Sequence, residues 1–339
     1  MTGLPALACL LIERAAEVRC NNVNVALCPN VRAPAAVLLA LLVGLLPCSA
    51  AGTYPVRTAV ATLPSSASST NTASPLARLV VIGASASAGF TESEPFGGPI
   101  TPQYRLSRYL DAAVRARHEP VRNLATTFFF LQPEREGQRQ LQLAAQSHPT
   151  LLVGLDFLFW FCYGDGPTDA ARLQRFANGL KLLETVSCPL VLGDLPDASG
   201  AAERMLGPEQ MPGPAALAEA NRHLNAWAAR RKNVSILPLS KFMRSAAAGG
   251  ALTVHGRTWP AGQTRGFLQD DQLHPTASGS AVLALAVLDT FCTTRSPVAA
   301  NIRWDFEDVL RRGLDSVPPS PPPKQQQNGT ADRREIPKR

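Results

Sequence analysis

Two short stretches of this chain hold residue types able to do nucleophilic chemistry. Residues 79–90 read LVVIGASASAGF: four apolar residues without polar alternation, then the small residues Gly83-Ala84-Ser85, then a helix-forming segment. The apolar run fits a strand buried on both faces. A strand followed by a tight turn and a serine presents a hydroxyl at the carboxyl edge of a parallel sheet, where open α/β folds place their sites. Residues 270–283 read DDQLHPTASGSAVL, with Asp271 and His274 three apart and Pro275 opening a helix. A carboxylate at that spacing reaches back to one ring nitrogen, fixes the tautomer, and leaves the other nitrogen free to take a proton from a serine. Each stretch alone is unspecific. Ser85 also reads as one more small residue in an Ala/Ser-rich loop, and Asp-x-x-His-Pro as a capping aspartate beside a surface histidine.

To bring two such distant stretches together, the intervening chain must build a sheet. The pattern predicts strands at 79–82, 120–124, 150–155, 189–192 and 234–238, and helices at 103–117, 134–146, 169–185, 214–231 and 275–291. The helix at 169–185 carries Leu173, Phe176, Leu180 and Leu183 on one face, and the one at 134–146 is polar and glutamine-rich. Alternation of this kind implies an α/β domain of three layers, helix–sheet–helix, around five parallel strands. A further amphipathic helix is expected at 301–314. Asp165 and Asp169 read as turn and cap residues rather than metal ligands. The aromatic groups 128–130 and 157–161 read as core, as a lid, or as an acyl-chain pocket. Asp194 is expected to shape the cleft, and 249–264 to form a flexible flap with a solvent-exposed His255.

Taken together, Gly83-Ala84-Ser85-Ala86-Ser87-Ala88-Gly89 near the start and Asp271-Gln272-Leu273-His274 near the end resemble the blocks of the SGNH/GDSL hydrolase family, over roughly residues 78–291. The resemblance implies a flavodoxin-like sheet, Ser85 as nucleophile, His274 as base and Asp271 as its orienting carboxylate. It also implies an oxyanion hole. The family's second block corresponds to Asn123-Leu124-Ala125, where the Ala125 N–H stands in for that of a glycine. The third corresponds to Gly154-Leu155-Asp156-Phe157, with Asp156 in place of an asparagine donor. An ionised carboxylate cannot donate. Asp156 is therefore expected either to carry a proton among Phe157, Phe159 and Trp160 or to serve another purpose. Ala84 replaces a family aspartate that supports the turn. The implied reaction is hydrolysis of carboxylic esters through an acyl-enzyme, with no cofactor and no metal, on a small-molecule, glycan or lipid ester. Two alternatives stay open: an O-acyltransferase using the same three residues, and an inactive domain that binds glycan or cell envelope.

The chain has 339 residues, 45% of them apolar, enough for a sizeable core. Its net charge is +7, many of its arginines and lysines fall near the termini, and no basic stretch is interleaved with aromatics, which argues against a nucleic-acid platform. Residues 35–47 are apolar but shorter than a membrane span, with Arg32 before them and Ser49-Ala50-Ala51 after, the layout of an export signal. Residues 1–30 look unlike the basic start of such a signal, so translation is expected to begin at Val31, and Cys48 leaves lipid anchoring open. The expected organisation is an extension and signal at 1–52, a Ser/Thr/Pro linker at 53–77, a catalytic domain at 78–293, a helix at 294–314 and a disordered Pro-rich tail at 315–339. The destination is periplasmic or extracellular. Cys162, Cys188 and Cys292 are too far apart for a zinc pattern. They leave either one disulfide with a free thiol or three buried thiols.

Overall fold

Alternate residues of the first apolar run face opposite ways. Leu79 and Val81 join one core, Val80 and Ile82 the other, and all four are fully buried. This is the pattern of a central parallel strand, whose two faces both need apolar cover. The structure, a computed structural model, describes residues 74–315 except 203, 294 and 295. The expected export signal, nearly all of the linker, and all but the first residue of the tail lie outside the described residues.

Five strands, β1 (Leu79–Val81), β2 (Arg122–Asn123), β3 (Leu151–Gly154), β4 (Leu190–Gly193) and β5 (Val234–Leu237), form one sheet in the order β2-β1-β3-β4-β5. Every pairing is parallel, with Val81 beside both Asn123 and Val153, and Leu192 beside both Gly154 and Ile236. The order 2-1-3-4-5 is the flavodoxin-like doubly wound arrangement, and β1 lies where the winding reverses.

The helices are α1 (Ser85–Ala88), α2 (Leu106–Ala113), α3 (Pro133–Gln146), α4 (Phe159–Cys162), α5 (Asp169–Leu182), α6 (Pro214–Ala229), α7 (Leu239–Ala248), α8 (Ala277–Thr293) and α9 (Phe306–Asp315). One layer comprises α2, α7, α8 and α9, whose apolar stripes meet Val81, Val153 and Val191. The other comprises α3 to α6, where Phe157, Phe161, Phe176 and Leu224 meet Ile82, Leu152 and Leu192. Local chemistry starts these helices where expected. Pro133 and Pro214 occupy first turns, Glu134 and Glu136 favour the N-terminal end of α3, and the Thr168 hydroxyl accepts the Ala171 N–H at the head of α5.

Several features differ from the sequence expectation, the short helix α4 among them. Helix α7 follows β5 directly. The segment expected to be a flap contains a hairpin, β6 (Leu252–Val254) with β7 (Arg257–Trp259), antiparallel and joined by His255-Gly256. Both of those residues have positive φ, +46° and +77°, as a two-residue type I′ turn requires. Finally, the expected helix at 301–314 becomes a short 3-10 turn, Ser296–Asn301, and α9. Both are tied back to α2, because the Arg115 and Arg303 N–H groups donate to Asn301 and Ala113 carbonyls and Val114 bridges to Ile302.

Candidate active site

The chain leaves β1 through a turn that three separate segments hold. Gly83 has φ +137°, a conformation closed to side-chain-bearing residues, and a Cβ there would lie 2.1 Å from Asp156 Oδ1. Its peptide groups are clamped by the fully buried Gln140 amide of α3. The Gly83 N–H donates to Gln140 Oε1 at 2.7 Å, and Gln140 Nε2 donates back to the Gly83 carbonyl at 3.0 Å. The Thr126 N–H donates to that same carbonyl at 3.2 Å. Asp156, just past β3, accepts three more bonds: from the Ala84 N–H at 3.0 Å, the Ser87 N–H at 3.1 Å and the Ser87 hydroxyl at 2.6 Å. The turn thus has no slack, and it presents Ser85 at the first position of α1.

His274 arrives from the opposite end of the chain. Its loop is pinned by Gln269, whose N–H donates to the His274 carbonyl and whose amide donates to the carbonyls of Phe90 and Pro275. The Phe90 ring packs 4.2 Å from the imidazole. Asp271, wholly buried, accepts the N–H groups of Leu273 and His274 on Oδ1, each at 2.9 Å, and faces His274 Nδ1 with Oδ2 at 2.6 Å. Burial pushes the Asp271 carboxyl up. The hydrogen bond and charge of His274 and the two backbone N–H groups outweigh it and hold the group below the usual carboxylate range. A carboxylate only accepts, so Nδ1 carries the ring proton. Nε2 is then the acceptor for the Ser85 hydroxyl, 2.8 Å away across 189 positions of sequence. The arrangement Ser–His–Asp has the geometry of a nucleophile, a base and an orienter.

Both expected oxyanion positions have hydrogen-bond partners of their own, and for Asp156 this is the other purpose the sequence left open. Asp156 turns both oxygens onto the N–H and O–H groups of the nucleophile turn, as acceptor, and offers no donor. Because Ala84 carries no carboxylate of its own, the turn is supported instead from β3. At Ala125, the N–H is already taken by the side chain of Asn123, at 3.0 Å, because an asparagine two residues back closes an Asx turn. The Ser85 N–H has no acceptor among the described residues.

Other residues singled out lie elsewhere. Asp194 caps α7 through the Ser240 N–H and hydroxyl, and burial raises its carboxyl despite those bonds. Asp165 accepts from Gln210 and Asp169 from the Gly213 N–H, and no group of three or more His, Cys, Asp or Glu residues is set to hold a metal among the described residues. Cys162, Cys188 and Cys292 are free thiols, and burial lifts Cys162 to about 12 and Cys292 to about 11. His255 is not simply solvent-facing: it stacks on Trp304 at 3.5 Å and meets Asp289 at 2.9 Å. Sequence reasoning missed Gln140, Gln269 and Ser87. For Gln140 a signal existed, since it shares a helical stripe with Gly137 and Ala144, a polar residue among small buried ones.

A cavity of about 30 Å³ opens beside Ser85 and His274, walled by Leu155, Asp156, Phe159, Trp160, Pro196 and Met243 among others. Its lining is almost wholly apolar, and it holds roughly two water-sized groups.

No model of a known protein family matches the chain, and no curated protein does. Solved structures with similarity include a lipase/acylhydrolase from Enterococcus faecalis, 16% identical with a TM-score of 0.44, covering 67% of this chain and 98% of that one. They also include TesA, at 21% and 0.35 over 65% and 99%. A third is Axe2, an acetylxylan esterase from Geobacillus stearothermophilus, at 17% and 0.38 over 64% and 93%. The likeness is one of fold.

Proposed function

We propose that this chain is a serine hydrolase of the SGNH/GDSL type that cleaves carboxylic esters through an acyl-enzyme on Ser85. The observation that carries this reading is the 2.8 Å approach of Ser85 Oγ to His274 Nε2, backed by Asp271. In the proposed cycle His274 takes the Ser85 proton as the hydroxyl oxygen attacks the ester carbonyl. The Ser85 N–H faces the oxyanion. A second donor comes from the Ala125 amide once the Asn123 side chain releases it. His274 then returns the proton to the leaving alcohol, and water, activated by the same imidazole, frees the acid. Asp271 keeps the ring in the productive tautomer throughout.

The experiment is turnover of p-nitrophenyl acetate by the wild type and by Ser85→Ala, with fluorophosphonate labelling of Ser85 as an independent measure. Labelling and turnover that both vanish in Ser85→Ala are expected. Equal rates for both proteins would overturn the reading. They would favour an inactive binding domain, for which the engaged Ala125 amide and the accepting Asp156 speak. An acyltransferase using the same residues would show as ester turnover that rises when a sugar alcohol is supplied. Export is a separate proposal. N-terminal sequencing of the native protein tests it, and a mature chain that retains residues 1–30 would sink it.

A further inference from the structure

Among the described residues five large hydrophobic side chains are exposed, and four of them, Phe96, Phe128, Phe130 and Leu131, belong to two loops at the carboxyl edge of the sheet. Apolar groups concentrated in this way mark a binding surface. The three phenylalanines, with the buried Trp160, form two ring pairs. Phe96 stacks with Phe128 at 6.2 Å, and Phe130 packs on Trp160 at 5.6 Å. Trp160 is also a wall of the cavity beside Ser85. Phe128 and Phe130 stand two residues apart on one loop, which sets the two pairs side by side, and the second pair reaches the cavity beside the nucleophile.

Both loops are held firmly. Phe129, between the exposed rings, is fully buried and packs edge-on against Phe157 and Phe161 at 5.5 and 6.0 Å, which turns its two neighbours outward. The Phe96 loop is closed by the Glu94 carboxylate, which accepts from the Ile100 and Thr101 N–H groups and from the Thr101 hydroxyl. The rings are thus presented at little entropic cost.

We infer that the strip Trp160–Phe130–Phe128–Phe96 is the track for the hydrocarbon chain of an acyl ester. The inference rests on the hydrolase reading and deepens it to a substrate class. Three observations select this occupant. The cavity of about 30 Å³ accepts only the first carbons of an acyl group, so any longer chain must lie outside it. The exposed side chains of the strip have no hydrogen-bonding group and match hydrocarbon rather than a sugar. Trp160 walls the cavity beside Ser85 and also carries Phe130 on its ring, so the cavity and the exposed strip join at one side chain.

The test compares p-nitrophenyl acetate with p-nitrophenyl octanoate, both kept monomeric, in the wild type, in Phe128→Ser/Phe130→Ser, and in Phe96→Ser on its separate loop. The wild type is expected to prefer octanoate. The ratio of the two kcat/KM values is expected to fall about tenfold in the double variant, what some two methylenes are worth against an apolar surface. A smaller fall of the same ratio is expected for Phe96→Ser. An unchanged ratio in both variants overturns the assignment. So does loss of binding to phosphatidylcholine vesicles with the ratio intact, which would give the patch to a membrane surface. A wild type that neither turns over ester nor labels with fluorophosphonate fails at the earlier step and removes the hydrolase reading itself. Labelling without octanoate preference fails only the track.

Discussion

At the scale of single residues, Asp156 separates two views of the same position. Read from the family pattern it stands where a donor belongs; in the structure it is the acceptor for three groups of the nucleophile turn. Asp156→Asn would set an amide NH2 against the Ser87 N–H, donor against donor. The expected outcome is a loss of about 1–3 kcal/mol of stability together with a lower kcat, read by urea unfolding and ester turnover. A gain in kcat at unchanged stability would instead make the position an oxyanion donor. Asp271→Asn is expected to lower kcat by roughly 10³–10⁴-fold with little change in KM, because the asparagine NH2 favours the tautomer in which Nε2 holds the proton and cannot receive one. The sequence alone named Ser85, Asp271 and His274, since their chemistry is written in residue type and short spacing. The direction in which Asp156 points was not legible, because it depends on what Ala84 lacks 72 positions away.

At the scale of elements, the strand–turn–helix unit around Ser85 depends on α3 as much as on β1. Gln140→Ala would leave the Gly83 N–H without its partner in a buried site and the carbonyl with only the Thr126 N–H. A cost of about 1–3 kcal/mol is expected for the stranded N–H alone, with slower fluorophosphonate labelling as the turn loosens. Thermal denaturation and labelling rates measured on the same variant check this. Unchanged labelling would show that Asp156 and Thr126 suffice to hold the turn. The alternation of strands and helices was readable because the three central strands, β1, β3 and β4, are continuous apolar runs and most helices begin at a proline or a capping residue. The hairpin β6–β7 escaped because its strands are three residues each, and its signal lay in the turn His255-Gly256, where a histidine occupies a position more often given to asparagine. Helix α4 escaped because four aromatic and sulfur-bearing residues, all buried, carry no helical periodicity.

At the scale of the whole molecule, the C-terminal turn and α9 are part of the packed body. Phe306 and Val309 are buried, Phe306 meets Trp259 edge-on at 5.3 Å, and Glu307 pairs with Arg257. A chain ended at residue 293 is expected to lose a large share of its stability and its cooperative transition, relative to one ended at 315, by differential scanning calorimetry. Acid sets a second limit. The folded Asp271 carboxyl lies below its unfolded value, so the unfolded chain binds that proton first. The stability this group supplies is whole above the ordinary carboxylate value of about 3.9 and is lost only as pH falls through the lower folded value. Urea midpoints of the wild type and Asp271→Asn should therefore stay separated at pH 5 and converge only below about pH 4. A gap already closed at pH 5 would show that the His274 bond does not hold the carboxyl down.

The nucleophile turn borrows its supports from three places along the chain, and its base from a fourth that joins last in sequence. No fragment that has merely formed its helices can possess it. Trapping by a covalent inhibitor therefore works as a clock for the completed fold: during refolding it should trail the return of far-ultraviolet ellipticity, and the lag measures the time the first strand and the loop of His274 need to find each other.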